Sequence, residues 1–174
     1  NYGEIAWVQE LCPDSKFYGD AYDRFGLFGG DHKCIMAHCV HSDERELELM
    51  KKNGVFVAHS PLSNANLASG IAPVGRYLER GLQVALASDV AGGETENLFA
   101  EMAAAIRVSK LRWRLTDQSV KPLSVDQAFY IATRGGGEFF GKVGAFEDGF
   151  ELDAVVLDDT ALDHPQELPL RARL

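Results

Sequence analysis

The sequence predicts an α/β fold on a parallel sheet, either doubly wound or barrel-shaped, and two observations predict it. Three short apolar runs recur, from Lys33 to His38, from Val55 to Ser60 and from Gln83 to Asp89. Each is too short for a typical helix and apolar on both alternating faces, as a strand buried on both sides reads. A helical pattern separates each run from the next. Repeated strand and helix in that order make the sheet parallel.

The connections follow in order. After the first run, Ser42 is placed to cap a helix with Asp43 and Glu44 in its first turn. Lys51 and Lys52 fall in its last turn and Asn53-Gly54 stops it, so the charges suit the helix dipole at both ends. After the second run, Pro73 opens a short helix that Gly81 closes. After the third, Asn97 can cap a longer helix, with Leu98, Met102, Ile106, Ser109 and Trp113 along one face. Ser124 and Gln127 have capping-box spacing for a further helix, which Gly135-Gly136-Gly137 should break or kink. The tail changes character. "KVGAF", the turn "EDG" and "ELDAVVLD" read as short strands of a separate small β unit, and "HPQELPLRARL" gives no clear pattern.

Composition excludes some partners. The chain has 174 residues and a net charge of −9, with no basic run. Nucleic acid and anionic membrane both need clustered Lys and Arg, so neither is expected. No apolar stretch reaches the length of a membrane span, and the first residues carry no signal-peptide pattern. The first residue is Asn1 rather than Met, so the chain is expected to be a piece of something longer. Its three cysteines, Cys12, Cys34 and Cys39, are odd in number and read as reduced thiols of a cytoplasmic protein.

Each apolar run ends in or near a polar residue: His38, His59 and Asp89. Parallel α/β folds keep their active sites at the C-terminal ends of the strands. Three adjacent strands would gather two imidazoles and a carboxylate at one mouth, a set suited to a divalent metal or to acid–base work on water. Duller readings compete. A single strand-end His is more often a hydrogen-bonded structural group, and Asp89 could simply cap the turn that follows it. "HCVH", from His38 to His41, suggests a zinc clip, but strand alternation points Cys39 away from His38. Nothing near Cys39 suggests an activated thiolate. "SPLSN" reads as a binding loop or an ordinary connection.

"MAHCVHSDERE", "AHSPLSNANLASGIAPV" and "ASDVAGGETENLFAEM" resemble consecutive barrel segments of the amidohydrolase superfamily. The "SDVAGG" turn and the tail "GAFEDGFELDAVVLDD" make the likeness greatest to its guanine-deaminase branch. The resemblance implies the C-terminal portion of a TIM (β/α)8 barrel over residues 1–141. Residues 142–174 would then form part of a small β-sandwich and the C-terminal tail. It implies hydrolysis of guanine to xanthine and ammonia, with zinc as cofactor. Asp89 would be a metal ligand and would carry a proton from the hydrolytic water to the leaving amine. His38 would orient the water or substrate, or ligate metal where two ions bind. His59 takes no metal role. The superfamily's His-x-His, its fifth-strand His and its ring-protonating Glu have no counterpart here, so the remaining barrel strands are expected from residues outside this chain. A homodimer is an allowed assembly. Two alternatives stay open: another purine or pyrimidine amidohydrolase, or a non-catalytic α/β ligand-binding domain.

Overall fold

In the computed structural model the described residues are 2–158 and 169. The sheet holds three parallel strands: β1 (Ile35–Ala37), β2 (Phe56–His59) and β3 (Gln83–Leu86), in the order β1-β2-β3. Ile35 pairs with Phe56, and Phe56 in turn with Gln83, so the strands start level and β1 ends one position before β2 and β3. The middle strand is β2. Its residues Phe56 and Val57 are 6% and 0% exposed, which fits an apolar run covered on both faces. The strands are shorter than the apolar runs, because the residues that follow them turn over to form loops.

Two helices precede the sheet, α1 (Tyr2–Leu11) and α2 (Tyr18–Asp23). The sequence pattern gave no assignment there. The helix α1 buries none of its residues, and Trp7 and Leu11 stand exposed, so no apolar periodicity against this core marks it. The first expected helix is α3 (Glu44–Asn53). Its cap is Asp43 rather than Ser42: the Asp43 carboxylate accepts from the Glu46 N–H at 3.0 Å. Gly54 closes it with φ 65, the left-handed conformation that glycine adopts without steric cost. Between β2 and β3 run two short helices, α4 (Pro61–Asn66) and α5 (Val74–Glu79). Thus "SPLSN" is helical: Ser60 precedes the helix and Pro61 sits in its first turn, where a missing N–H costs nothing.

The last three helices are α6 (Leu98–Leu115), α7 (Val125–Ala132) and α8 (Arg134–Phe140). Asn97 caps α6 as expected, and Ser124 and Gln127 form the reciprocal capping box of α7. The glycine run does not break the helix that contains it. The break falls at Thr133, and Gly135, Gly136 and Gly137 are all inside α8. The reason is packing. A Cβ on Gly135 would lie 2.6 Å from the Val84 carbonyl oxygen, and one on Gly137 would lie 2.1 Å from that of Val143. Glycine lets α8 lie directly on β3 and on the segment that follows it.

The core sits between sheet and helices and includes Phe28, Met50, Val57, Tyr77, Val84 and Ile131. Both outer strands have an edge with no strand partner among the described residues. Residues 142–158 contain no strand, contrary to the reading of "KVGAF" and "ELDAVVLD". A single backbone bond, Glu151 N–H to Lys142 O at 2.9 Å, joins the two segments. Val155 and Val156 are 83% and 94% exposed. A strand needs a partner along its edge, and these segments meet none within the described residues. The run "HPQELPLRARL" lies outside the described residues apart from Pro169. No described helix is long and apolar enough to cross a membrane.

Candidate active site

The C-terminal ends of β1 and β3 bring His38 and Asp89 together. His38 Nε2 stands 3.8 Å from Asp89 Oδ2, with the two side chains 39% and 42% exposed at the mouth. His38 directly follows the last residue of β1, and Asp89 lies three residues past the end of β3. Both also hold left-handed backbone, with φ 67 at His38 and φ 51 at Asp89. Such a conformation costs a non-glycine residue about 1–3 kcal/mol and persists only where the surroundings enforce it.

The surroundings do enforce it. The His38 N–H donates to Ala58 O at 2.8 Å, and the Gly93 N–H donates to Asp89 O at 2.7 Å. Beyond His38, the hydroxyl of the buried Tyr77 donates to the carbonyl of Cys39, itself at φ 46. Two glycines in the turn after Asp89 keep its close approach clear. A Cβ on Gly92 would come within 2.8 Å of both Asp89 Oδ2 and Ser63 Oγ, and one on Gly93 within 2.0 Å of Ser88 O. The chain therefore carries a carboxylate just past a buried strand and folds the turn at Gly92 and Gly93 close against it.

The helix α4 lies under both side chains. Ser63 Oγ donates to Asp89 Oδ2 at 2.5 Å, and Asn64 Oδ1 stands 2.9 Å from His38 Nδ1. The next residue back, Leu62, donates its N–H to Glu101 Oε2 at 3.3 Å. Glu101 is wholly buried on α6, and its Oε1 has no partner among the described residues. Burial pushes its carboxyl above the usual range, the Leu62 N–H opposes this, and the charges of Glu94 and Asp89 add to it. Ser63 and Asn64 lie in the "SPLSN" stretch, which the sequence marks only as a binding loop or a connection, and Glu101 is not marked at all. The signals were a polar pair inside a short stretch after a buried strand, and one acid within the apolar run "LFAEMAAAI".

The other sequence candidates have structural surroundings. His59 ends the middle strand and is 1% exposed, with its Nδ1 unpartnered among the described residues. Burial, helped by neighbouring His38, pushes its pKa down to about 4, so its ring is neutral. The "HCVH" clip is not assembled. His41 Nε2 meets Ser69 O at 2.9 Å, and its ring lies 4.2 Å from that of Tyr2. Burial pushes the Cys39 thiol up to about 12, which leaves it without nucleophilic character at neutral pH. Cys12, Cys34 and Cys39 are all free thiols. A cavity of about 540 Å³ runs beside the bare edge of β1, between Val8, Tyr18, Met36 and Met50, and reaches His38.

A zinc ion takes carboxylate oxygen and imidazole nitrogen at about 2.0–2.2 Å, which sets neighbouring ligands of a tetrahedron roughly 3.4 Å apart. The Asp89–His38 pair at 3.8 Å is within a few tenths of that edge. Its donors fit the ion. They do not complete a site, because no cluster of three or more His, Cys, Asp or Glu that could hold a metal occurs among the described residues.

The amidohydrolase family pattern matches residues 1–172. The guanine deaminase of Escherichia coli is 35% identical over 165 residues, covering 92% of this chain and 35% of that protein. A crystal structure of guanine deaminase from C. acetobutylicum, with guanine bound in the active site, is 47% identical with a TM-score of 0.94. It covers 99% of this chain and 41% of that one. An adenosine deaminase from Xanthomonas campestris with bound zinc is 28% identical with a TM-score of 0.72, covering 87% of this chain and 34% of that one. The chain spans about a third of the length of the curated relatives it matches.

Proposed function

The chain belongs to the amidohydrolase family, and on that premise we propose that the protein containing it hydrolyses the exocyclic amine of guanine, releasing xanthine and ammonia. The observation that carries the reading is the convergence of His38 and Asp89, from separate strands, at 3.8 Å. The similarity to guanine deaminases, one of them with guanine in its active site, supports the choice of substrate. The Asp89 carboxylate, a ligand type that zinc takes, and the zinc of a similar adenosine deaminase support zinc as the cofactor.

In this reading Asp89 is a zinc ligand and His38 stands beside it. A bound zinc ion supplies the Lewis acidity that lets water lose a proton near neutral pH. Asp89 accepts that proton and returns it to the departing amine, so water adds to the purine carbon, the carbon–nitrogen bond breaks and ammonia leaves. His38 orients the water with a ring nitrogen. Both groups sit at a mouth held by hydrogen bonds, which spares the reaction the cost of ordering them. His59, neutral and buried, takes no part in proton transfer. The other zinc ligands and the group that protonates the purine ring come from segments outside this chain, which alone is inactive. The free thiols fit a cytoplasmic setting, and the family likeness allows a homodimer.

A second reading, deamination of another purine, is favoured by the similarity to an adenosine deaminase. Ultraviolet spectra of the complete protein with guanine, adenine and cytosine separate the two. Conversion of guanine alone is expected. A preference for adenine or cytosine would keep the family and overturn the substrate.

A further inference from the structure

We propose that Asn64 is a positioning residue that fixes His38 as its Nδ1-protonated tautomer, leaving the Nε2 lone pair turned toward Asp89. The proposal deepens the reading above and rests on it. Asn64 Oδ1 lies 2.9 Å from His38 Nδ1. An amide oxygen only accepts, so the ring nitrogen facing it carries the hydrogen. A neutral imidazole has one such hydrogen, so Nε2 is bare. Nε2 then stands 3.8 Å from Asp89 Oδ2, too far for a direct hydrogen bond and wide enough to share a third group between the two. The opposite tautomer would place a hydrogen in that gap.

Asn64 is well held for such a task. It is 3% exposed, its N–H donates to Ser60 O at 3.0 Å, and its carbonyl accepts from the Ser69 N–H at 2.8 Å. The two residues before it are tied as well, Ser63 to Asp89 and Leu62 to the buried Glu101. Three consecutive residues thus link α6, the carboxylate and the imidazole into one rigid set. Nδ2 of Asn64 is buried without a partner among the described residues. An amide there only to fill space would be replaced at no loss by an apolar residue of similar size. One kept for its oxygen would not.

The test uses the complete protein, zinc-free and labelled with 15N at histidine. Two-bond 15N–1H correlations at pH 7.5 are expected to show His38 with Nδ1 protonated and Nε2 bare. The reverse pattern, or an average of both tautomers, would overturn the proposal without need of any variant. Asn64→Leu should lose the pattern and, in the zinc-loaded protein, lower kcat roughly 10–100-fold with KM nearly unchanged. Asn64→Asp keeps an oxygen acceptor and should keep Nδ1 protonated. An Asn64→Leu protein that matches the wild type in spectrum and kcat would overturn the proposal alone. A His38→Ala protein of normal turnover would overturn the underlying reading and this role with it.

Discussion

At the scale of single residues, acid should weaken the protein through His59. Its ring is buried and its pKa pushed from an ordinary 6.5 down to about 4. Between those values the unfolded chain binds the proton and the folded one does not. Stability therefore rises with pH through this window and is lost as pH falls from 6.5 toward 4. The full effect is on the order of 3 kcal/mol. Buried Glu46 and Glu101, whose carboxyl pKa values are raised, act in the opposite sense. A comparison with His59→Gln isolates the histidine. Melting temperatures of the complete protein at pH 7 and 4.5 should converge with those of the variant as the pH falls. Parallel losses in the two proteins would contradict the assignment of a buried neutral ring. His38 and Asp89 were legible in the sequence because a polar residue after a buried strand is conspicuous. Ser63 and Asn64 were not. Hydroxyl and amide residues are common in connections, and which partner such a side chain meets is decided by the tertiary fold.

At the scale of elements, α8 depends on glycine for contact rather than for flexibility. A Cβ on Gly135 would lie 2.6 Å from Val84 O, whereas one on Gly136 would make ordinary contacts at 3.6 and 3.7 Å. Gly135→Ala should therefore lower stability by about 1–3 kcal/mol through overpacking. Gly136→Ala should be neutral or raise it, since alanine favours a helix by up to about 1 kcal/mol. Denaturant titration of the two variants of the complete protein checks the ordering. Equal effects would show that α8 does not rest on β3. The same contact explains why the glycine run misled the sequence reading. Helix propensity is local and counts glycine as a breaker, while the gain from close approach to β3 is tertiary. The strands, by contrast, and the capping box at Ser124 and Gln127 were legible because their signals are local. The cap of α3 moved one residue, from Ser42 to Asp43, since both types accept from a helix N–H and sequence does not rank neighbours.

At the scale of the whole molecule, three parallel strands are fewer than half of a barrel, and both outer edges are bare among the described residues. The parallel sheet followed from the alternation of strand and helix. The tail did not follow. Residues 142–158 have the apolar composition of strands, yet without a neighbouring edge they form none, because β-structure is a property of pairs. The proposed site is partial in the same way: among the described residues it holds a carboxylate, an imidazole and the helix bonded to both. In the proposed function, Asp89 carries the chemistry of the complete protein. The direct test is the initial rate of ammonia release from guanine by the complete protein and by its Asp89→Asn variant, both folded and both supplied with zinc. Removing a carboxylate that both binds the ion and moves the proton should cut the rate by about 10²-fold or more. A variant that releases ammonia at a near-normal rate would contradict the account.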